Sequence, residues 1–299
     1  GFDEIVAEEF TVLPGMEELF SLLCIKRYFE EKKFDVIIVD CAPTGETVRL
    51  LSFPDMMKWY MERIFNIEKR VIPRVRPVLE RILKVPLPDR DVYNAVERMY
   101  KNVLKMHRIL TDGDITTIRL VVNPEKMVIK EAQRAYACFN LFGFCCDAVI
   151  ANRVMPVEIE DTYFQDWKGL QKIYLDEAEA VFHPLPIFQA KLFPREIVGV
   201  ELLTELGDCI YGDKDPSQIF LKEKPFVISK KGGSYVLSIK MPVVDKKDLE
   251  IWTKGEELII KLMNVRRNIL LPKALVNLDV DKATLEEGVL RIYFKGERK

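Results

Sequence analysis

The stretch FDVIIVDCAPTGET, residues 34–47, decides how the chain is read. Its first seven residues form an apolar run, rich in β-branched side chains and too short for a helix. Such a run reads as a strand buried on both faces, as in a parallel sheet. Ligands of phosphate-binding α/β proteins sit outside the carboxyl ends of parallel strands, and Asp40 is expected at that place. A carboxylate there can hold a water of a Mg²⁺ shell, because Mg²⁺ keeps most of its waters and takes only one or two carboxylates. Pro43, Thr44 and Gly45 permit a tight turn that orders against a γ-phosphate and relaxes after hydrolysis. The plainer alternative is that Asp40 caps the helix starting at Glu46 or closes a turn, and spacing alone leaves both open.

Working outward, residues 17–31 place Leu19, Leu22, Leu23, Ile25 and Phe29 near helical spacing, which predicts an amphipathic helix. Helix-like segments broken by Pro54, Pro73, Pro77, Pro86 and Pro88 fill residues 46–110 and read as a helical subdomain. The order then alternates: strand 118–122, helix 124–139, strand 148–151, helix 161–179, strand 186–188, helix 200–211. That alternation predicts a doubly wound, mainly parallel α/β sheet. GDKDPSQ at 212–218 marks a linker, and beyond it the period changes. YVLSIKMP, DLEIWTKG, ELIIKLM, NILLP and GVLRIYFKG alternate apolar with polar residues between Gly, Pro and Asp. They predict an all-β, immunoglobulin-like sandwich. The expected domains are therefore 1–215, with the helical subdomain at about 52–112, and 220–299.

Hydrophobic residues at 48% and charged residues at 31% suit globular cores rather than disorder. A formal net charge of −2 provides no chain-wide positive field, so nucleic acid is not an expected partner. Lys and Arg outnumber Asp and Glu by 17 to 11 over residues 220–299, which puts the acidic excess in the first part. Cys24, Cys41, Cys138, Cys145, Cys146 and Cys209 are scattered, mostly in apolar runs, as in a reducing cytoplasm. No CxxC pair or histidine cluster suggests a direct metal site. No run of eighteen apolar residues and no signal peptide is visible. The opening Gly1 is not an initiator methionine, and the expectation is that something precedes it.

DCAPTGETVRLLSFP, residues 40–54, closely resembles the signature of the ArsA family of ATPases, which includes arsenite-pump and tail-anchored-protein targeting members. The likeness runs through residues 1 to about 212, taking in EEFTVLPGMEELFSLL and RLVVNPEKMVIKEAQRA. It implies a P-loop-NTPase-type sheet, ATP and Mg²⁺ as cofactors, Asp40 as the Mg²⁺-linked aspartate, and Pro43, Thr44 and Gly45 as the switch II turn. ANRVMP resembles the family's strand end whose asparagine reads adenine, which gives that role to Asn152. LFPREIVGVELL resembles the adenine loop and puts Leu192, Phe193 and Glu196 beside the base, although Lys191 replaces the usual proline. Residues 225–299 resemble the α-crystallin domain of small heat-shock proteins, an appendage carried by some prokaryotic ArsA-like ATPases.

The departures from the family pattern shape the functional expectation. Glu46 stands for the usual histidine, no CxxC follows Asn152, and no three-cysteine metalloid site is visible. The family's GKGGVGKT-like loop has no counterpart in these residues, so the chain alone is expected to be nearly inactive, because phosphoryl transfer rests on positioning and positive charge around the phosphates. The resemblance implies a cytoplasmic, homodimeric, Mg²⁺-dependent ATPase that couples nucleotide state to a client or membrane partner. Met56, Met57, Trp59, Met61 and Phe65 crowd one short stretch, and a Met-rich surface suits apolar client segments; ordinary packing is the alternative. Two other functional readings are a non-enzymatic chaperone-like binding module and a metalloid-efflux ATPase subunit.

Overall fold

The computed structural model describes residues 16–41, 45, 47–48, 51–54, 57, 61, 90–231, 234–242, 244–271, 275 and 278–295. The chain forms two compact units, residues 1–110 and 111–299.

In the first unit, α1 (Met16–Glu31) is a helix where one is expected, although Phe29 of its expected apolar face is exposed, and α2 (Arg90–Thr111) is the longest described element. Val103 and Met106 of α2 are fully buried. Met61 is buried with Met57, Val96 and Tyr100 packed against it.

Residues 34–40 overturn the reading of a buried strand. They pair with no described strand, and Phe34, Val36, Ile37, Ile38 and Val39 are all exposed, Ile38 by 90%. The physical reason is that an apolar β-branched run only licenses a strand. A ladder partner on each side makes one, and the described sheet does not include this segment.

The second unit holds the predicted alternation: β1 (Ile118–Val122), α3 (Lys126–Phe142), β2 (Cys146–Val154), α4 (Thr162–Phe182), β3 (Ile187–Lys191) and α5 (Val200–Tyr211). The three strands form a parallel sheet in the order β1-β2-β3. β2 is central, and Cys146, Asp147, Ala148, Val149 and Ala151 are buried along it. Apart from Asp147, this fits an apolar run covered on both faces. α3 ends where the backbone needs a left-handed residue: Gly143 has φ +85°. The Gly143 N–H donates to Asn140 O at 3.1 Å, and the Phe144 N–H donates to Phe139 O at 2.9 Å. That 5→2 and 6→1 pair is a Schellman stop, and it turns the chain directly into β2. At the other end of the layer Asp161 caps α4, accepting the Tyr163 N–H at 2.8 Å.

Two antiparallel sheets complete the unit, as the period-2 alternation predicts. One has the order β4-β5-β10-β9, from β4 (Phe226–Lys231), β5 (Ser234–Lys240), β9 (Asp279–Glu286) and β10 (Val289–Lys295). The other is β6-β7-β8, from β6 (Leu249–Lys254), β7 (Glu257–Leu262) and β8 (Val265–Leu270). Leu290, Ile292 and Phe294 of β10 are buried while their neighbours are not, which marks the inner face. The β9–β10 hairpin turns through Glu287 and Gly288 at φ +52° and +69°, the two positive values of a type I′ turn.

Candidate functional site

The residues expected to serve the nucleotide fall on both units. In the first, Asp40 is exposed and ends no described strand, and Gly45 is helical and exposed. Pro43 and Thr44 lie outside the described residues. An exposed carboxylate is hydrated, which suits a contact to Mg²⁺ through water rather than direct ligation.

In the second unit the carboxyl ends of β2 and β3 bring Asn152, Leu192 and Phe193 to one edge of the sheet. β2 and β3 pair in parallel, with Ala151 opposite Gln189 and Val154 opposite Lys191. The register slips between Ala151 and Val154, and Arg153 sits there at φ +55°. An extra residue in a strand bends it and can re-aim a side chain, and Asn152 lies within this slip. Its Oδ1 accepts the Arg153 N–H at 3.0 Å. A carbonyl oxygen has a second lone pair, and the amide also carries two donors, so the group matches the mixed acceptor and donor edge of adenine. The Leu192 N–H donates to Val154 O at 2.8 Å, tying the start of the 192–196 loop to the bulge. Leu192 is exposed by 41% and Glu196 is exposed, whereas Phe193 is half-buried.

Two α4 side chains hold this edge in shape, and sequence reading missed both. Gln171 Nε2 donates to Arg153 O at 3.1 Å, and its Oε1 accepts the Met155 N–H at 2.9 Å. Lys168 Nζ donates to Val157 O at 2.8 Å and to Ile159 O at 2.9 Å. Their spacing on α4 puts them on one face, but no local signal says that the loop 153–159 lies beside that face.

Three of the cysteines read as structural thiols, while Cys24 and Cys41 are exposed. Cys138, Cys145 and Cys146 are buried. Burial pushes the Cys138 thiol up to about 11 and raises Cys145 and Cys146 as well, with nearby acidic charges adding to the rise at the latter two.

Of the apolar side chains expected at a client surface, Met61 is 3% exposed and packs as core beneath Val96 and Tyr100, and Met57 is half-buried. Burial removes Met61 from any solvent-facing surface. Met56, Trp59 and Phe65 lie outside the described residues.

Comparison with known proteins meets this geometry from another side. A family model described as "Anion-transporting ATPase" matches residues 1–212, and one described as "HSP20-like domain found in ArsA" matches residues 232–294. The chain is 41% identical over 297 residues to "Putative arsenical pump-driving ATPase 1" of Aquifex aeolicus, covering 98% of this chain and 75% of that one. It is 38% identical over 302 residues to a protein of the same description, without the number, from Chlorobaculum tepidum, covering 100% and 75%. "ATPase GET3C" of Arabidopsis thaliana is 24% identical over 204 residues, covering 66% and 52%. The matched lengths and identities leave one assignment: the chain belongs to the ArsA family of ATPases and carries an HSP20-like domain after its ATPase part.

Proposed function

We propose that this chain contributes the adenine-reading edge and the switch II segment of a Mg²⁺-dependent ATPase that couples nucleotide state to a protein client or membrane partner. The observation that carries the reading is the bulge at Asn152 and Arg153, tied to Leu192 and braced by Gln171. Asn152 binds the base edge, and Leu192, Phe193 and Glu196 flank it. Asp40 orders the metal's water, and Pro43, Thr44 and Gly45 form the moving turn. ATP with Mg²⁺ supplies the cleavable phosphoanhydride; these residues bind and orient it. Assignment to 1–215 and 220–299 as separate domains, a homodimeric state and a cytoplasmic location belong to the same proposal. No helix among the described residues is long and apolar enough to cross a membrane.

A hydrophobic client is favoured over a metalloid as the coupled species. Metalloid ligands are thiolates, and a thiol whose pKa is raised by burial stays protonated at neutral pH, as at Cys138, Cys145 and Cys146. Met56, Met57, Trp59 and Phe65 are the client-binding residues in this reading, and Met61 packs against Met57.

The test is photolabelling of the chain with an azido-adenine nucleotide and Mg²⁺, followed by peptide mapping. Label on the peptides carrying Asn152 and residues 192–196, reduced at least fivefold in Asn152→Ala, is expected, with ATP turnover at background. Label spread over the chain regardless of Asn152 would sink the adenine assignment, and turnover above background would sink the expectation of inactivity.

A further inference from the structure

The segment after α5, residues 212–224, has the composition of a free linker, yet it wraps an ion pair at the amino ends of β1 and β2. Asp147 stands at the second position of β2 and its side chain is fully buried. Arg119, at the second position of β1, meets it as a fork: Nε to Oδ1 at 3.3 Å and Nη2 to Oδ2 at 3.2 Å. Both partners then reach into the segment. Arg119 Nη1 donates to Pro216 O at 2.6 Å, Nη2 donates to Gln218 O at 2.9 Å, and Asp147 Oδ2 accepts the Phe220 N–H at 3.2 Å. The guanidinium lies 4.8 Å from the centre of the Phe220 ring and 5.7 Å from that of Tyr211, the last residue of α5. Phe220 and Tyr211 also pack against Phe188 of β3, at 4.7 and 5.3 Å between ring centres.

The contacts continue to the sandwich. Lys222 pairs with Asp114 at 2.7 Å, Cys145 Sγ donates to Glu223 O at 3.3 Å, and Glu223 pairs with Lys240 of β5. On β8, Arg267 donates to Leu141 O at the end of α3 and lies over the rings of Phe142 and Phe226. The sandwich is thus joined to the parallel sheet through side chains distant in sequence, not only through the chain that links them.

We propose that the Arg119 and Asp147 fork is an interdomain clamp, which seats residues 212–224 as a strap and holds the sandwich as a fixed extension of the ATPase sheet. A buried carboxylate stripped of its partner carries a large desolvation cost, so the strap and the fork stabilise each other. Its place decides what the sandwich can do. Asp147 and Asn152 lie on the same strand five residues apart, about 16 Å at ~3.3 Å per residue. The sandwich therefore sits at the amino ends of the strands, away from the carboxyl edge that carries Asn152. It does not cover the nucleotide edge, and any partner it holds moves with the sheet. Only this last consequence rests on the nucleotide reading, and the clamp itself is tested without nucleotide.

Limited trypsin digestion of the whole chain, which probes Lys214 and Lys222, is combined with hydrogen exchange. The wild type should resist cleavage in the strap. Asp147→Asn and Phe220→Ser should each be cut there at least tenfold faster and lose protection at residues 217–220, while the amides of β5, β7 and β10 stay protected. Phe220→Ser leaves the sheet's own residues intact and decides the matter if Asp147→Asn does not fold. Strap cleavage in the wild type at the rate of an unfolded peptide, or unchanged cleavage in Phe220→Ser, overturns the clamp.

Discussion

A Cβ added at Gly113 would lie 2.6 Å from the Sγ of Cys145, so the turn between α2 and β1 closes directly on that thiol. The sulfur cannot step aside freely, because it is buried and donates to Glu223 O. Overpacking of this kind costs about 1–3 kcal/mol. Gly113→Ala should lower the denaturant midpoint accordingly, and Cys145→Ala added to it should restore part of the loss, since it removes the clashing sulfur. Additive effects of the two changes in a double-mutant cycle would show that the contact is not what restricts the site.

Gln171 braces the bulge by donating to Arg153 O and accepting from Met155 N–H. Gln171→Ala removes both bonds at a half-buried position, a cost of roughly 1–2 kcal/mol. Faster hydrogen exchange at Met155 and weaker photolabelling at Asn152 should accompany it. Gln171→Glu keeps the acceptor for Met155 and loses the donor to Arg153 O, so its Met155 exchange should stay close to wild type. Fast exchange in both variants would mean that the acceptor is not what protects Met155.

Stability should fall at alkaline pH. Cys138 is raised by burial from 9.0 to about 11, so the folded chain still holds that proton when the unfolded chain has lost it. The stabilisation is complete below about pH 9 and is lost as pH rises toward 11, at up to about 1.4 kcal/mol per pH unit. Cys145, Cys146 and Tyr136 are raised in the same direction, chiefly by burial. Denaturant midpoints at pH 8, 9, 10 and 11 measure this, and Cys138→Ala should flatten the slope. A midpoint that does not move up to pH 11 would contradict it.

The alternating order of strand and helix from residue 118 to 211, and the change to period 2 after 225, could be read from the sequence because those signals are local. A short, mostly apolar run such as 148–151, or the alternation Val289–Lys295, carries its own pattern of faces. Asn152, Leu192 and Phe193 were named only through their resemblance to family motifs, and the structure puts Asn152 in β2 and Leu192 and Phe193 just past β3. Residues 34–40 have an equally strong local signal, yet they pair with no described strand and are exposed, because a parallel strand exists only through its neighbours.

What the sequence by itself determined is which segments can be helices or strands, where the period changes beyond residue 225, and which family the motifs belong to. Only the tertiary structure decided that Met61 faces inward, that Gln171 grips the loop beyond Asn152, and that Arg119 meets Asp147 across 28 residues and gathers a polar linker around them. The physical reason is common to all three. Local pattern sets backbone preference and the face a side chain takes, whereas the partner of a buried charge or amide is chosen by chain segments far away in sequence that packing brings alongside.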